Sequence, residues 1–398
     1  MISIAKERHP SIEFHEMDAA DISLEQKFDV IILSNVVGCF ENVLDVLRQL
    51  KKVSHPQTKI FILYYSKLWQ PFINLGEFIG LKKKTPDQNW LSGHDIRNLL
   101  FLAGYDGFRS NQRMLIPFYI PLLSLLFNKI VARLPLVGQL CLNQFIVAKP
   151  AATEVVYDQY SVTIVIPARN ESGNIERAIK ETPQLGSHTE IIFVEGNSTD
   201  DTWDEIQRIE QKYRATHDIK ITQQPGKGKY DAVKHGYAMA QGDILMILDG
   251  DLTVPPHDLT KFYDAIASGK GEFINGSRLV YPMEGEAMRF LNMLGNKFFS
   301  YAFSWLLDQP IKDTLCGTKV MFRKDYERLA ANRKFFGDFD PFGDFDLLFG
   351  SYKLNLKIID LPIRYRDRTY GDTNISRFRH GMILIRMVLF ALNKIKFH

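Results

Sequence analysis

Apolar runs of strand length alternate with stretches of helical period in the second part of the chain. The runs at residues 161–167, 190–195, 219–222 and 242–248 predict strands, and residues 202–213 and 230–240 have the spacing of helices. Residues 168–174 are rich in helix-capping types and precede a further helix that extends to about Glu181. Because strands and helices alternate at short spacing, we predict a doubly wound, mostly parallel sheet.

The first part of the chain has its own pattern. Apolar strands are predicted at residues 28–33 and 59–64 with a helix at residues 43–53 between them, and further strands near residues 113–116 and 144–147. Residues 149–160 are polar and without period, which is typical of a linker. We therefore expect two domains, residues 1–150 and residues 157–398.

The run that ends at Leu248 is followed by Asp249-Gly250-Asp251. A continuous apolar run is typical of a strand buried on both faces, and ligands of open α/β sheets bind at the carboxyl ends of such strands. Alternate residues of an extended segment point the same way, so both carboxylates can reach one divalent cation. Asp-Gly is also common in solvated turns, and the triplet alone does not decide between these interpretations.

Composition limits the choice of function. A chain of 398 residues with 49 basic and 46 acidic side chains is too balanced to favour nucleic acid as a partner. The three cysteines are scattered, which indicates a reducing compartment rather than a disulfide framework. The longest apolar run, residues 114–127, is broken by Pro117 and Pro121, so we expect it in a core or lying on a surface. These features predict a cytoplasmic protein.

Three motifs of the second part resemble glycosyltransferase family 2 in their order and spacing. They are Ile164-Val165-Ile166-Pro167-Ala168-Arg169-Asn170-Glu171, Gly226-Lys227-Gly228 and Asp249-Gly250-Asp251. Counterparts of residues 276–278, 313–317 and 366–371 make this part most similar to the polyprenyl-phosphate sugar transferases. The resemblance implies an α/β A-type glycosyltransferase fold and inverting transfer from a nucleotide-sugar donor. It also implies Mg²⁺ or Mn²⁺ as cofactor, held by Asp249 and Asp251.

The donor-binding candidates follow from the same resemblance. They are Pro167, Ala168, Asn170, Glu171, Glu195, Lys227 and Asp249. A nucleoside can lie across the end of the first strand, where a carboxylate accepts hydrogen bonds from ribose or base. Capping of the following helix is the alternative, and for Asn170 alone it is the preferred one. Lys227 has a flexible basic loop as its alternative role.

Arginines are the candidates for contacts with phosphate, because the guanidinium fork matches that anion. Of Arg278, Arg289, Arg366 and Arg368, we rank Arg278 and Arg368 highest. Any single arginine is otherwise a solvated surface residue.

Gly343-Asp344-Phe345-Asp346-Leu347 resembles the place where family members with hydroxyl acceptors carry a catalytic base, and Asp344 is the matching position. A base is needed only for a hydroxyl, because a lipid phosphate is already ionised near neutral pH. The leading acceptor is a polyprenyl phosphate, and a hydroxyl of a surface glycan is the alternative. A loop of capping aspartates and buried phenylalanines is an equally good interpretation of residues 336–350.

Residues 1–150 resemble the later part of a class I S-adenosylmethionine-dependent methyltransferase. The similarity lies in Met17-Asp18-Ala19, the strand that begins at Phe28 and the leucine-rich helix after it. The Gly-rich cofactor turn of that family is missing, so we expect an incomplete Rossmann-like domain, either a remnant or a methyltransferase whose start is absent from the sequence. A missing central strand would leave residues 28–33 at an exposed sheet edge.

The tail, residues 377–398, is apolar at its centre and basic at its end. Such a helix can lie in a membrane interface, which would place the protein peripherally at the inner membrane face, or it can pack on its domain.

Overall fold

The chain divides into two compact units, Met1–Ala151 and Ala152–His398. The computed structural model describes residues 2–83, 88–278, 290–335, 343–364, 366, 370 and 377–397. Each unit has its own buried apolar core and is described by itself.

The first unit is built on a four-stranded sheet with the order β1-β2-β4-β3. Its strands are β1 (Phe28–Ser34), β2 (Ser54–Tyr65), β3 (Tyr105–Arg113) and β4 (Asn143–Pro150). Its helices are α1 (Ile2–Arg8), α2 (Val43–Gln49), α3 (Gln70–Phe78), α4 (Gly93–Leu102) and α5 (Leu123–Lys129). Strand β1 is parallel to β2 and lies at the end of the sheet, whereas β4 is antiparallel to both of its neighbours. The predicted edge position of residues 28–33 is confirmed.

One strand of this unit differs from its prediction. We expected it near residues 113–116, but β3 ends at Arg113. Met114 has a backbone φ of 66°, which is outside the extended region and ends the strand. Strand β3 was missed because most of its residues are half-buried and polar, so it contains no apolar run.

The second unit is built on a seven-stranded sheet with the order β11-β9-β10-β8-β5-β6-β7. Its strands are β5 (Val162–Ala168), β6 (Thr189–Glu195), β7 (Asp218–Gln223), β8 (Ile244–Ile247), β9 (Phe273–Ser277), β10 (Lys319–Phe322) and β11 (Ile358–Pro362). Strand β10 is antiparallel to β8 and β9, and the other pairs are parallel. The predicted doubly wound, mostly parallel sheet is confirmed.

Helices cover both faces of this sheet. They are α6 (Ile175–Glu181), α7 (Thr202–Tyr213), α8 (Lys229–Met239), α9 (Leu259–Ala267), α10 (Phe290–Leu307), α11 (Arg323–Ala331), α12 (Asp344–Lys353) and α13 (Arg377–Ala391). One core contains residues of α6, α7 and α9, and the other contains residues of α8 and α10 to α13. The strands between these layers are buried on both faces, which explains the continuous apolar runs of β5, β6 and β8.

Within the described part of the chain, no helix has the length and apolar character needed to cross a bilayer.

Candidate active site

The carboxyl ends of β5, β6 and β8 meet at one edge of the sheet, because these strands are parallel and in register. Asp249 follows β8 there, and Gly250 lies against the end of β5. A Cβ atom at position 250 would be 2.9 Å from the Pro167 carbonyl oxygen, so only glycine allows this approach. Gly250, the central residue of the acidic triplet, therefore packs against half-buried Pro167 and buried Ala168.

Asp249 forms an ion pair with Lys229, the first residue of α8. Burial would raise the pKa of Asp249, but the ammonium of Lys229, with smaller effects of Lys319 and Arg278, holds it below its ordinary value. A Cβ atom at Gly317 would collide with both members of the pair. The backbone at Gly317 therefore lies directly on the pair and limits its movement.

Asp251 is buried and held by its own turn. One of its carboxylate oxygens accepts hydrogen bonds from the Thr253 backbone N–H at 3.1 Å and the Thr253 hydroxyl at 2.8 Å. The following turn residue, Leu252, has a φ of 51°. These contacts fix the orientation of the second carboxylate of the triplet.

The two carboxylates fit a hard divalent cation. Their donor atoms are all oxygen, and the ammonium of Lys229 on Asp249 shows that this position accepts positive charge. No group of three or more potential His, Cys, Asp or Glu ligands occurs among the described residues. A pair of carboxylates is nevertheless the usual protein contribution to Mg²⁺ sites in which substrate phosphates and water complete the shell.

The loop after β5 is tied to the loop after β6. The Asn170 side-chain oxygen accepts a hydrogen bond from the Thr199 N–H at 2.8 Å, and the Asn170 N–H donates to the Ser198 hydroxyl at 3.0 Å. The alternative in which Asn170 caps the next helix is wrong, because α6 begins at Ile175 and its N-cap, Asn174, makes no side-chain capping bond. Asn170, with a φ of 55°, instead joins two loops at the sheet edge.

Glu171 and Glu195 are both buried beneath these loops. The Glu171 carboxylate accepts a hydrogen bond from the Asn174 side chain at 2.8 Å. Glu195 is 2% exposed and accepts hydrogen bonds from the Ser198 N–H and, at 3.1 Å, from the Gln223 side chain. Their carboxylates hold the loops in place, and their predicted contact with a ribose or base stays a prediction.

The glycine-rich loop brings Lys229, rather than Lys227, to the acidic triplet. Lys227 is exposed. The Gly226 N–H donates to Asp231 at 2.9 Å, and Gly228 has a φ of 88° at the start of α8. This left-handed turn directs the chain into the helix at Lys229. The donor contact predicted for Lys227 stays a prediction.

Arg278 follows β9 and forms a two-pronged pair with Asp313, with nitrogen to oxygen distances of 2.7 and 2.9 Å. Burial would raise the pKa of Asp313, but this guanidinium holds it below its ordinary value. The Arg366 N–H donates to the Thr253 carbonyl at 2.9 Å, so its segment reaches the turn of Asp251. Arg289 and Arg368 lie outside the described residues.

Asp344 begins α12 after Gly343, whose φ is 78°. Its carboxylate lies 2.9 Å from the ammonium of Lys319, which is 1% exposed. Burial would lower the pKa of Lys229, but Asp249 and, to a lesser degree, Asp344 raise it above its ordinary value. Asp344 therefore interacts electrostatically with the same lysine as the two aspartates of the triplet.

The sequence did not predict the charged partners of these site residues, namely Lys229, Asp313 and Lys319. Lys229 directly follows the motif Gly226-Lys227-Gly228. A cationic residue at that place is the sequence signal that could have identified Lys229 as a partner of the triplet. Asp313 lies in residues 313–317, which were noted without a role. Nothing in the local sequence indicates that Lys319 would be buried.

Family comparisons agree with this architecture. Residues 163–329 match the family model "Glycosyl transferase family 2", and residues 1–62 match the model "Methyltransferase domain". Residues 163–329 of the second unit are therefore similar to family 2 glycosyltransferases. Both resemblances seen in the sequence are confirmed.

Curated relatives of this chain are named as sugar transferases. The chain is 28% identical over 224 residues to a dolichol-phosphate mannosyltransferase of Pyrococcus furiosus, which covers 54% of this chain and 59% of that enzyme. It is 27% identical over 226 residues to glycosyltransferase AglJ of Haloferax volcanii, covering 56% of this chain and 69% of the relative. An undecaprenyl-phosphate 4-deoxy-4-formamido-L-arabinose transferase of Pseudomonas syringae is 29% identical over 112 residues, which are 27% of this chain and 33% of that protein.

Among solved structures, the glucosyl-3-phosphoglycerate synthase of Mycobacterium tuberculosis in complex with Mn²⁺, UDP and phosphoglyceric acid aligns with a TM-score of 0.43. The sequence identity is 18%, and the alignment covers 59% of this chain and 78% of that chain.

Proposed function

We propose that the second unit transfers a sugar from a nucleotide-diphosphate donor to a polyprenyl phosphate, with inversion at the anomeric carbon. The observation that carries the proposal is the cluster at the sheet edge, where both Asp249 and Asp251 interact electrostatically with Lys229. The names of the archaeal and bacterial relatives support the same class of acceptor.

Asp249 and Asp251 would hold a divalent cation against the diphosphate of the donor. That cation supplies Lewis-acid stabilisation of the leaving group. Lys229 and Arg278 add fixed positive charge beside the same carboxylates and can neutralise the phosphates of donor and acceptor. Arg278 is suited to an oxyanion because its guanidinium is already oriented by Asp313.

The joined loops after β5 and β6 form the side of the site that receives the nucleoside. The hydrogen bonds of Asn170 to Ser198 and Thr199 fix these loops before any ligand is bound. Donor binding to fixed loops loses less conformational entropy than binding to mobile ones. Buried Glu195 acts here as a positioning residue for the loop that begins at Gly196.

A phosphate acceptor needs no base, because its oxygen is already a nucleophile at neutral pH. Attack on the anomeric carbon from the face opposite the leaving diphosphate inverts the configuration. Apolar side chains for the lipid are available on the outer faces of α10 and α13. Tyr301 of α10 and Met382, Ile385 and Leu389 of α13 are exposed, while Leu384 and Met387 pack into the core. Helix α13 thus packs on its domain and also presents an apolar stripe outward.

A hydroxyl acceptor on a glycan is the second candidate, with Asp344 as general base. The observation that favours it is the position of the Asp344 carboxylate in the charged cluster, paired with Lys319 at 2.9 Å.

Calorimetric titration of GDP- and UDP-sugars with Mn²⁺ tests the donor site. We expect Asp251→Ala to weaken Mn²⁺-dependent binding about 10- to 100-fold, since a charge-assisted contact contributes roughly 1.5–3 kcal/mol. Asp204→Ala, which removes an exposed carboxylate of α7, is the matched control and should bind as the wild type does. Failure of the wild type to bind any donor would refute the transferase proposal.

The substitution Asp344→Asn separates the two acceptors. With a polyprenyl-phosphate acceptor, we expect turnover to fall less than about threefold, because no proton has to be removed. With a hydroxyl acceptor, loss of the base should lower kcat about 10²- to 10⁴-fold. Radiolabelled sugar transfer into organic-soluble and water-soluble acceptors measures both, and a large loss with the lipid phosphate would contradict the leading proposal.

A further inference from the structure

The first unit exposes many large apolar side chains in two segments, residues 67–81 and residues 118–140, which we name the apolar rim. In the first segment Phe72, Phe78 and Leu81 are exposed, and in the second Phe118, Tyr119 and Leu125 are exposed. Helix α3 lies within the rim and has no buried residue. Large contiguous patches of this kind mark an interaction surface.

Two hydrogen bonds connect the chain at the start of the first segment to the chain at the end of the second. The Trp69 indole N–H donates to the Leu140 carbonyl oxygen at 2.7 Å. The Ser66 N–H, directly before the first segment, donates to the Leu142 carbonyl at 2.8 Å. Trp69 also contacts Phe72, with ring centroids 5.5 Å apart. The start of the first segment and the end of the second are therefore adjacent in the fold of this unit.

Two exposed leucines of the second segment have strained backbone conformations. Leu122 and Leu136 have φ values of 62° and 70°, in a region that leucine seldom adopts. Their side chains are 83% and 82% exposed. The Asn128 side chain both donates to and accepts from the backbone of Ile116, at 2.8 Å each, and so closes the loop that carries Leu122. Strain of this kind is typical of functional segments.

The charges around the rim are positive. Residues 107–153 contain no aspartate or glutamate, while Lys129 and Arg133 lie inside the second segment. Leu81 is followed in the sequence by three lysines, residues 82–84. Glu77 is the one acidic residue within the two segments, and it pairs with Lys82 at 2.7 Å.

We propose that the apolar rim inserts into the interface of an anionic lipid bilayer. Apolar side chains that enter the acyl boundary, flanked by lysine and arginine that meet anionic headgroups, are the physical requirements for such binding. Exposed Tyr119, with an apolar ring and a polar hydroxyl, is suited to the same depth. A second copy of the chain fits less well, because it would bring the basic side chains of two rims together.

The inference concerns the first unit, and its test needs neither donor nor acceptor. Flotation of the full chain with vesicles of phosphatidylcholine containing one-third phosphatidylglycerol measures binding. We expect binding that falls with added salt and is weak to phosphatidylcholine alone. In the double variant Leu122→Asn/Leu136→Asn, we expect partition onto the anionic vesicles to fall about tenfold or more, because two apolar side chains are lost.

Asparagine adopts a positive φ more readily than leucine, and circular dichroism checks that the double variant keeps the fold. The matched control is Ile32→Thr, which removes an exposed apolar side chain from β1, outside the rim. It should bind vesicles as the wild type does. A double variant that binds within threefold of the wild type, or a wild type that does not bind, would overturn the proposal. A wild-type dimer in light scattering that the double variant lacks would overturn it in favour of self-association.

Discussion

Three acidic side chains of the second unit each lie against a cationic partner: Asp249 with Lys229, Asp313 with Arg278 and Asp344 with Lys319. Placing charges in a protein interior costs solvation energy, and such pairs are weak evidence for stability. Their concentration at the carboxyl edge of the sheet, where ligands of open α/β folds bind, favours a role in binding anions and cations.

The pair of Lys229 and Asp249 gives a prediction on pH dependence. Lys229 lowers the pKa of Asp249, and a cation binds only the ionised carboxylate, so the wild type should keep Mn²⁺-dependent donor binding into acid solution. In Lys229→Met, burial still acts to raise the pKa of Asp249, but the ammonium that lowers this pKa is gone. The pKa of Asp249 should therefore rise. We expect the acid midpoint of donor binding to move upward by about one pH unit or more.

Calorimetry between pH 4.5 and 8 measures that midpoint. Lys270→Met is the matched control, because Lys270 is an exposed lysine of the same unit that follows α9. An upward shift in the control as large as that in Lys229→Met, or no shift in either, would mean that the ammonium of Lys229 does not set the charge of Asp249.

At the scale of elements, the strands at the centre of the sheet were predictable and those toward one edge were not. Strands β5 to β8 follow from apolar runs between two helical layers. The short strand β10 begins with buried Lys319, and nothing in its sequence separates it from a loop. The position of Asp249 at a strand end followed from the same pattern, but its pairing with Lys229 depends on how α8 packs, which local sequence does not encode.

Helix α12 depends on the glycine before it. Gly343 has a φ of 78°, and a Cβ atom there would collide with the ring of Tyr230. Tyr230 in turn donates a hydrogen bond to Asp346, which also pairs with Arg333 at 3.0 Å. This glycine therefore sets both the start of α12 and the position of Asp344.

We expect Gly343→Ala to destabilise the second unit by about 1–3 kcal/mol, because alanine is strained at this positive φ. The loss is larger if the Tyr230 ring cannot move away from the added methyl group. Gly295→Ala is the control, because Gly295 lies inside α10 with open space for a methyl group. This substitution should stabilise the second unit by about 0.5–1 kcal/mol, since alanine favours a helix more than glycine does. Urea unfolding followed by tryptophan fluorescence compares the variants. Equal stability of Gly343→Ala and wild type would show that α12 can start without glycine.

At the scale of the whole molecule, the contacts described above for the candidate site are made by residues of the second unit, and this unit has two cores of its own. Groups that share no partners contribute independently, to within about 0.5 kcal/mol, which is roughly a twofold change in affinity. We therefore expect residues 152–398 expressed alone to bind the donor with Mn²⁺ within about twofold of the full chain.

The same fragment also separates the two membrane surfaces. It retains the apolar stripe of α13 and lacks the apolar rim, so we expect it to float with anionic vesicles at least tenfold more weakly than the full chain if the rim supplies most of the buried apolar surface. Calorimetry and flotation on one preparation give both results. A folded fragment with full donor affinity and undiminished vesicle binding would assign the membrane contact to the second unit. Loss of donor affinity in a folded fragment would instead contradict the independence of donor binding from residues 1–151.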